Sequence, residues 1–407
     1  PLNGGGTKLT IGALGGTGDL TMDSQSLVAG NGIFLTGAST HTGDVILKNN
    51  GSATGGITVS GAMGHTGDMI LQNNGSAASG ITVSGGPNIT GQIVNEGTGS
   101  NTVVISGIIG PNVTAVRQES ATSVLTLTGA NTFTCGLTVG SNRMVRVNNA
   151  TGSATGSGTV AIAGGGTLEG KGTLSGTVNL AAGGTLSPTI NDRAAAGKLT
   201  VGNLEWQGGG IFDCVVAKIG AAVGGVDFGQ IHVNNNITPL PGDTNLVIRL
   251  DTRGQAMAYD PLGNYGLKLI TFSVAGMATN LDLTRVSLDT NAFLVAGGRL
   301  VLTDDLHLAR RTEHADAFRG AARMGSIVMV VSALFVVVTG DQQARVMTDV
   351  QPMKMAAAEA LYDTTDRASF SIFTIGTLGD HEELWSLRIP GLVSFLAEGD
   401  WNATVEG

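Results

Sequence analysis

HTGDVILKNNGSATGGITVSGAMG (41–64) is followed at once by HTGDMILQNNGSAASGITVSGGPN (65–88), and 17 of the 24 aligned positions agree. A third, looser copy opens at Ile89 as ITGQIVNEGTGSNTVVISG and is two residues shorter. Fixed periods of this length mark solenoids and propellers, in which each repeat buries its apolar face against the next. Within a copy the apolar residues form short runs, Val45-Ile46-Leu47 and Ile57-Thr58-Val59, parted by Gly, Asn and Ser. Such runs read as strands of about three to five residues divided by turns. No helical period of apolar residues occurs before residue 300.

This unit predicts one coil of a parallel β-helix, rising about 4.8 Å per coil. Like residues then stack: Asn49-Asn50 on Asn73-Asn74, Ile57 on Ile81, Val59 on Val83. The Asn pairs are expected to form side-chain amide ladders of the kind stacked strands favour. Val, Ile and Leu should line a thin apolar column, with Ser and Thr outside. A thin column needs few aromatics, and they make up only 4% of the chain.

The pattern does not hold to the end of the 407 residues. Residues 1–305 carry 56 Gly, 32 charged and 9 aromatic residues, whereas 306–407 carry 8, 21 and 8. Two different physical objects share the chain: β-solenoid repeats over 1–198, the end of that β domain over 199–305, and a distinct segment over 306–407. A net charge of −9 excludes a nucleic-acid binder, because neutralising phosphates needs a basic surface. The opening PLNGGG has no initiator Met and no leader pattern, which suggests a mature product or an internal fragment.

Candidate chemistry in the solenoid is sparse. Its first 200 residues hold only Asp19, Asp23, Asp44, Asp68, Glu96, Glu119, Glu169 and Asp192 as carboxylates. A lyase or hydrolase needs clustered acids, and none is visible, although stacked coils can hide one. A binding or spacer role is therefore preferred to catalysis. His41 and His65 fall one coil apart; they are read as two surface positions copied by duplication rather than as metal ligands, and no metal is assigned. Cys135 and Cys214 pair only if their coils abut, and free buried thiols are the preferred reading.

Residues 125–188 carry a more specific pattern. Gly129-Ala130-Asn131-Thr132-Phe133-Thr134 precedes Gly136-Leu137-Thr138-Val139, and Gly165-Gly166-Thr167-Leu168 returns 18 residues on as Gly183-Gly184-Thr185-Leu186. This resembles the autotransporter-associated β-strand repeat, with Cys135 standing where that family usually has Gly. The resemblance implies an exported, right-handed β-helical passenger domain of a bacterial surface protein. VDFGQIHV (226–233), YGLKLITF (265–272) and GGRLVLTD (297–304) look like the end of such a passenger. The family's outer-membrane barrel is expected next and does not follow.

Instead, MGSIVMVVSALFVVVTG (324–340) runs 17 residues without a charge. At about 1.5 Å per residue this covers about 25 Å, and extending it back to about residue 320, with Arg323 snorkelling, predicts one transmembrane helix over about 320–340. Arg310, Arg311, Arg319 and Arg323 precede it, which places its N-terminal side in the cytoplasm. The text beyond contains Gly340-Asp341, Gln351-Pro352-x-Lys354, Ala357 and Glu359-Ala360, then ASFSIFTIG (368–376) and IPGLVSFLAEGDWNATVEG (389–407). It resembles subunit I of cytochrome bd quinol oxidase, over the quinol-binding loop (341–407). Pro352 suits the first turn of a helix, and MKMAAAEAL is a strong helix former.

By that resemblance Lys354 and Glu359 take part in quinol binding and oxidation, supported by Gly340, Asp341, Gln351 and Pro352. The intact family uses quinol as substrate, carries haem, and has a second subunit and membrane lipid as partners. Its haems are held by two His and one Met on other membrane helices. His307, His314, His381, Met353 and Met355 match none of those positions, so no haem is expected on this chain alone.

The two resemblances demand different compartments: the cell surface for the passenger, the cytoplasmic membrane for the oxidase segment. The expectation is a join of unrelated fragments near 303–309. Three functional readings follow: an oxidase subunit carrying the quinol loop, an exported solenoid for adhesion or display, or a chimera inactive by itself.

Overall fold

The computed structural model describes residues 8–28, 30–52, 56–76, 80–190, 194–240, 245–257, 267–273 and 285–294, together with the backbone of short strand pairs outside these ranges. Among the described residues the strands sort into two long sheets, of 14 and 12 strands, and successive strands of the chain alternate between them. Val45–Asn49 lies in the first sheet and Ile57–Val59 in the second; Met69–Asn73 returns to the first and Ile81–Val83 to the second. Neighbours within each sheet pair parallel, with Val45 beside Met69 and Ile57 beside Ile81. A chain that visits two sheets in turn and always returns parallel to itself has the winding of a parallel β-helix. No helix is present among the described residues.

The repeat dictates this register. Each five-residue strand of the first sheet alternates buried and half-buried residues, so Val45, Leu47 and Asn49 point inward. One continuous apolar column runs from Met22 to Phe293. Every fully buried Val, Leu or Ile in it contributes about 1.5–3 kcal/mol. The corners are tight: a Cβ on Gly61 or Gly85 would overlap the carbonyl oxygen of Gly37 or Gly61 one coil below. Between the sheets, Ser39 bridges to Met63 and Thr42 to Thr66, so a third, narrower side of the coil stacks as well.

The expected amide ladders form. Asn49 Nδ2 donates to Asn73 Oδ1 at 2.9 Å inside the coil, and Asn74 Nδ2 donates to Asn50 Oδ1 at 3.0 Å outside it. The GANTF stretch has a physical meaning too. Asn131 Oδ1 accepts from Ile109 N at 2.8 Å and its Nδ2 donates to Ala154 O at 2.5 Å, tying the coil before to the coil after, while Phe133 fills the column. The two Gly-Gly-Thr-Leu copies are stacked turns. Gly165 and Gly183 have φ of 79° and 74°, and Gly165 N donates to Gly183 O at 2.8 Å.

The same winding continues past residue 199. Gln230–Val233 and Ile270–Phe272 extend the first sheet, and Leu246–Asp251 and Val286–Ala292 the second. A hairpin of Thr189–Ile190 and Ala195–Ala196 interrupts it and folds against Thr167–Gly170 and Ile211–Val215. Beyond Leu294 only backbone pairs are described. Ser326–Ile327 pairs antiparallel with Ile270–Thr271, and Met329–Val330 with His307–Leu308. At these four residues of the expected membrane span the backbone is extended rather than helical. Ile327 and Val330 belong to a run rich in β-branched residues, which suit a strand as readily as an apolar helix. The rest of the span lies outside the described residues, among which no helix is long and apolar enough to cross a membrane.

Candidate functional site

The carboxylates of the repeat serve the stacking. Asp19 Oδ1 accepts from Asp44 N at 3.0 Å, Asp44 Oδ1 from Asp68 N at 2.7 Å, and Asp68 Oδ1 from Gln92 N at 2.7 Å. Each acid caps a backbone amide on the next coil, a charge-assisted bond that ties one rung to another. His41 and His65 do stack one coil apart, as read from the repeat, but they are not surface residues. They are 5% and 0% exposed, because they occupy the inward position between outward residues of the third side. Only two imidazoles meet there. Among the described residues no group of three or more His, Cys, Asp or Glu is placed to hold a metal.

The structure also assembles a cluster that the sequence hides. On the outer face of the second sheet, Arg146 lies beside Glu169, Glu169 beside Ser187, and further along Asp213 beside Arg249 and Arg249 beside Asp289. Arg146 Nε donates to Glu169 Oε1 at 2.6 Å, and the two side chains are only 13% and 2% exposed. Ser187 Oγ donates to Asp213 Oδ2 at 2.9 Å, and Arg253 bridges Asp213 at 3.3 Å and Asp251 at 2.7 Å. Arg249 Nε meets Asp289 Oδ2 at 3.0 Å. Burial pushes the Asp289 carboxyl up, but bonds from Arg249 and from the Asn291 backbone outweigh it and hold it below the usual carboxylate range.

The cluster is built for cohesion. Asp213 is fully buried, and Glu169, Asp213, Asp251 and Asp289 each engage an arginine. Sequence spacing could not show the cluster. Its partners lie 23, 26 and 40 residues apart, so no fixed period brings them together.

The cysteines stay apart and both are free thiols; Cys214 is buried as expected, whereas Cys135 is exposed. Burial, and then the neighbouring Asp213 charge, push the Cys214 thiol far up, so it is inert.

The quinol-loop residues Gly340, Asp341, Gln351, Pro352 and Glu359 lie outside the described residues. Of Lys354 the backbone alone is described: Met353–Lys354 pairs antiparallel with Glu383–Leu384, where the sequence predicts the first turn of a helix. His307 sits in a two-residue strand pair, and His314 and His381 fall outside the described residues.

Comparison with known proteins separates the two ends. The family model for cytochrome bd terminal oxidase subunit I matches residues 271–407. That match begins within the last described coils, since Val286–Ala292 still pairs parallel with the solenoid. In Bacillus subtilis (strain 168), cytochrome bd ubiquinol oxidase subunit 1 is 29% identical over 122 residues, 30% of this chain and 25% of that protein. A second protein of the same strain, named as a candidate cytochrome bd menaquinol oxidase subunit I, is 29% identical over 123 residues, 29% of this chain and 26% of its own. The chain thus spans about a quarter of the length of the curated relatives it matches. Among solved structures, a hyper-glycosylated TibA fragment aligns over 71% of this chain and all of its own, at 14% identity and a TM-score of 0.22. The C-terminal part of this chain resembles subunit I of the cytochrome bd terminal oxidase.

Proposed function

We propose that this chain joins two unrelated pieces: an exported, right-handed, non-catalytic β-solenoid of the adhesion or display type, and a partial oxidase subunit I bearing the quinol-binding loop. The observation that carries this reading is the contrast at the end of the column. Parallel coils continue to Ala292, and the family match to a membrane oxidase occupies the sequence from residue 271 onward. The autotransporter-like repeats of 125–188 support export of the first piece to the cell surface, and the charge-free run 324–340 supports a membrane helix in the second.

In the second piece Lys354 hydrogen-bonds a quinol oxygen and Glu359 accepts a quinol proton. Oxidising a quinol to a quinone releases two protons and two electrons. The electrons must pass to an acceptor outside this chain, such as the haem-bearing remainder of the intact family's complex. Alone, this chain binds quinol without turning it over. In the intact family the second subunit and the surrounding lipid complete the machine.

The test uses the full chain purified in detergent and titrated with decyl-ubiquinol and with a menaquinol analogue, dimethylnaphthoquinol. The expected result is saturable binding of one of them, weakened about tenfold by Lys354→Ala and by Glu359→Ala. Absence of binding, or binding by both variants as tight as by the unaltered chain, overturns the quinol assignment. Protease treatment of intact cells tests the other piece: cleavage within residues 1–305 supports display, and full protection overturns it.

A further inference from the structure

The two buried histidines are the one feature of the repeat that stacking does not explain. Each copy begins with an inward residue of the third side, and the column reads Gly16, His41, His65, Ile89. The parallel bridges Thr17–Thr42 and Thr42–Thr66 set this order, and the bonds Thr66 N to His41 O at 3.1 Å and Thr90 N to His65 O at 3.2 Å carry it through to Ile89. One coil beyond His65 the same place is taken by Ile89, fully buried in the apolar column. The position is thus built for an apolar side chain, and two coils fill it with imidazole instead.

Neither ring is well satisfied there. Both nitrogens of His41 and Nδ1 of His65 are buried without a hydrogen-bond partner, and His65 Nε2 has only the Asp68 carbonyl at 3.4 Å. Orphaned buried polar atoms cost about 1–3 kcal/mol each, so these coils are held less firmly than their neighbours even at neutral pH. A proton on either ring adds a charge to a place with little water, and on both rings it sets two like charges one coil apart.

We propose that the His41–His65 stack is an acid-sensitive latch: at neutral pH it lets the first coils close, and acidification opens the coils up to residue 76 while those from Ile89 onward persist. Local opening of these coils follows from solenoid architecture, in which each coil is held only by its neighbours.

The surrounding charges set the direction. Burial is the largest influence on His65 and lowers its proton affinity, and His41 lowers it further; Asp44 and Asp68 oppose both, and the net shift is downward. The coil above presents Ile89, which carries no charge. A base held below its ordinary value of about 6.5 binds its proton better in the open state. Stability is therefore full above that pH and falls as the pH drops below it toward the folded value.

Amide hydrogen exchange on the full chain tests this, with rates corrected for the intrinsic effect of pH. Between pH 7.5 and pH 5, protection over 45–49, 57–59 and 69–73 is expected to fall about tenfold. Protection over 137–147 and 160–180 should stay level. The double substitution His41→Ile, His65→Ile copies the residue already present at position 89 and should abolish the acid response while keeping protection at pH 7.5. His41→Val, His65→Val serves the same purpose if the bulkier pair fails to fold. Asp68→Asn should enlarge the loss of protection at pH 5, because it removes a charge that favours the protonated ring in the closed coils and so widens the gap in proton affinity to the open state. The proposal is overturned if both regions lose protection together or not at all, or if the isoleucine or valine pair keeps the response.

Discussion

The coils before Gln118 and those after Leu137 solve one problem by two means. Both must hold neighbouring coils in register along the same column. In the first set the coil length is nearly constant, and repeated side chains suffice: neutral amide ladders from Asn49 to Asn73 and from Asn95 to Gln118 at 2.7 Å, with Asp carboxylates capping amides one coil on. In the second set ion pairs between partners 23 or 40 residues apart take over, Arg146 with Glu169, Arg253 with Asp213 and Arg249 with Asp289, while Ser187 reaches Asp213 over 26 residues. An amide ladder works by repetition, since the same side chain must recur at the same height. A buried ion pair needs only one match of charge and reach, so it can pin a coil whose length differs from its neighbour's.

The largest effect should come from breaking one such pin. Glu169→Ala leaves the Arg146 guanidinium nearly buried beside an empty place and is expected to cost about 3–5 kcal/mol. Urea unfolding followed by the fluorescence of Trp206, fully buried in the later coils, measures it. Replacing both partners at once, Arg146→Met with Glu169→Leu, should cost far less, because it removes the charges together with the need to pair them. If the double replacement is as damaging as the single one, the pair acts through shape rather than through charge.

A smaller loss is expected from the neutral ladder. Asn73→Ala removes the 2.9 Å acceptor of Asn49 Nδ2, leaving it only Gly51 O at 3.4 Å, and takes from Asn101 O one of its two donors, leaving Ser123 Oγ at 2.7 Å. The expected cost is about 1–3 kcal/mol, read as lost exchange protection over 45–59. Loss spreading beyond Leu137 would show that the two sets of coils unfold as one unit, and the contrast between them would lose its meaning.

How much was legible follows the same division. The copies at 41–64 and 65–88 gave away coil length, strand positions, inward residues and the Asn ladders, because a constant period turns sequence distance directly into stacking. The GANTF and GGTL stretches were legible as motifs, and their meaning, a three-coil tie at Asn131 and stacked turns at Gly165 and Gly183, came only with the structure. The charged cluster was invisible: Glu169 was counted as an isolated acid, and Asp213, Asp251 and Asp289 belong to coils of unequal length. The histidines were placed at the right height but on the wrong side. A short turn-rich stretch gives little alternation from which to judge inward or outward, and His is common on both sides. Beyond residue 300 the apolar run 324–340 satisfies the length of a membrane helix and the composition of a strand alike, so periodicity cannot decide between them. The quinol loop was legible only through resemblance, since a Lys and a Glu on a short segment carry no chemistry of their own.

The smallest effect should come from the outer copy of the ladder. Asn74 sits one residue from Asn73 and its side chain makes three bonds to the two of Asn73: Nδ2 to Asn50 Oδ1 at 3.0 Å, and Oδ1 to the amide and hydroxyl of Thr98 at 3.0 and 3.1 Å. Counting bonds would rank Asn74 above Asn73. Water distinguishes them, because Asn74 faces outward and the groups it leaves behind can be solvated, whereas Asn73 is fully buried. Asn74→Ala is therefore expected to cost no more than about 0.5 kcal/mol by the same exchange measurement. If it matches Asn73→Ala, the stacking of amides itself holds the coils together, and burial is not what makes the inner ladder matter.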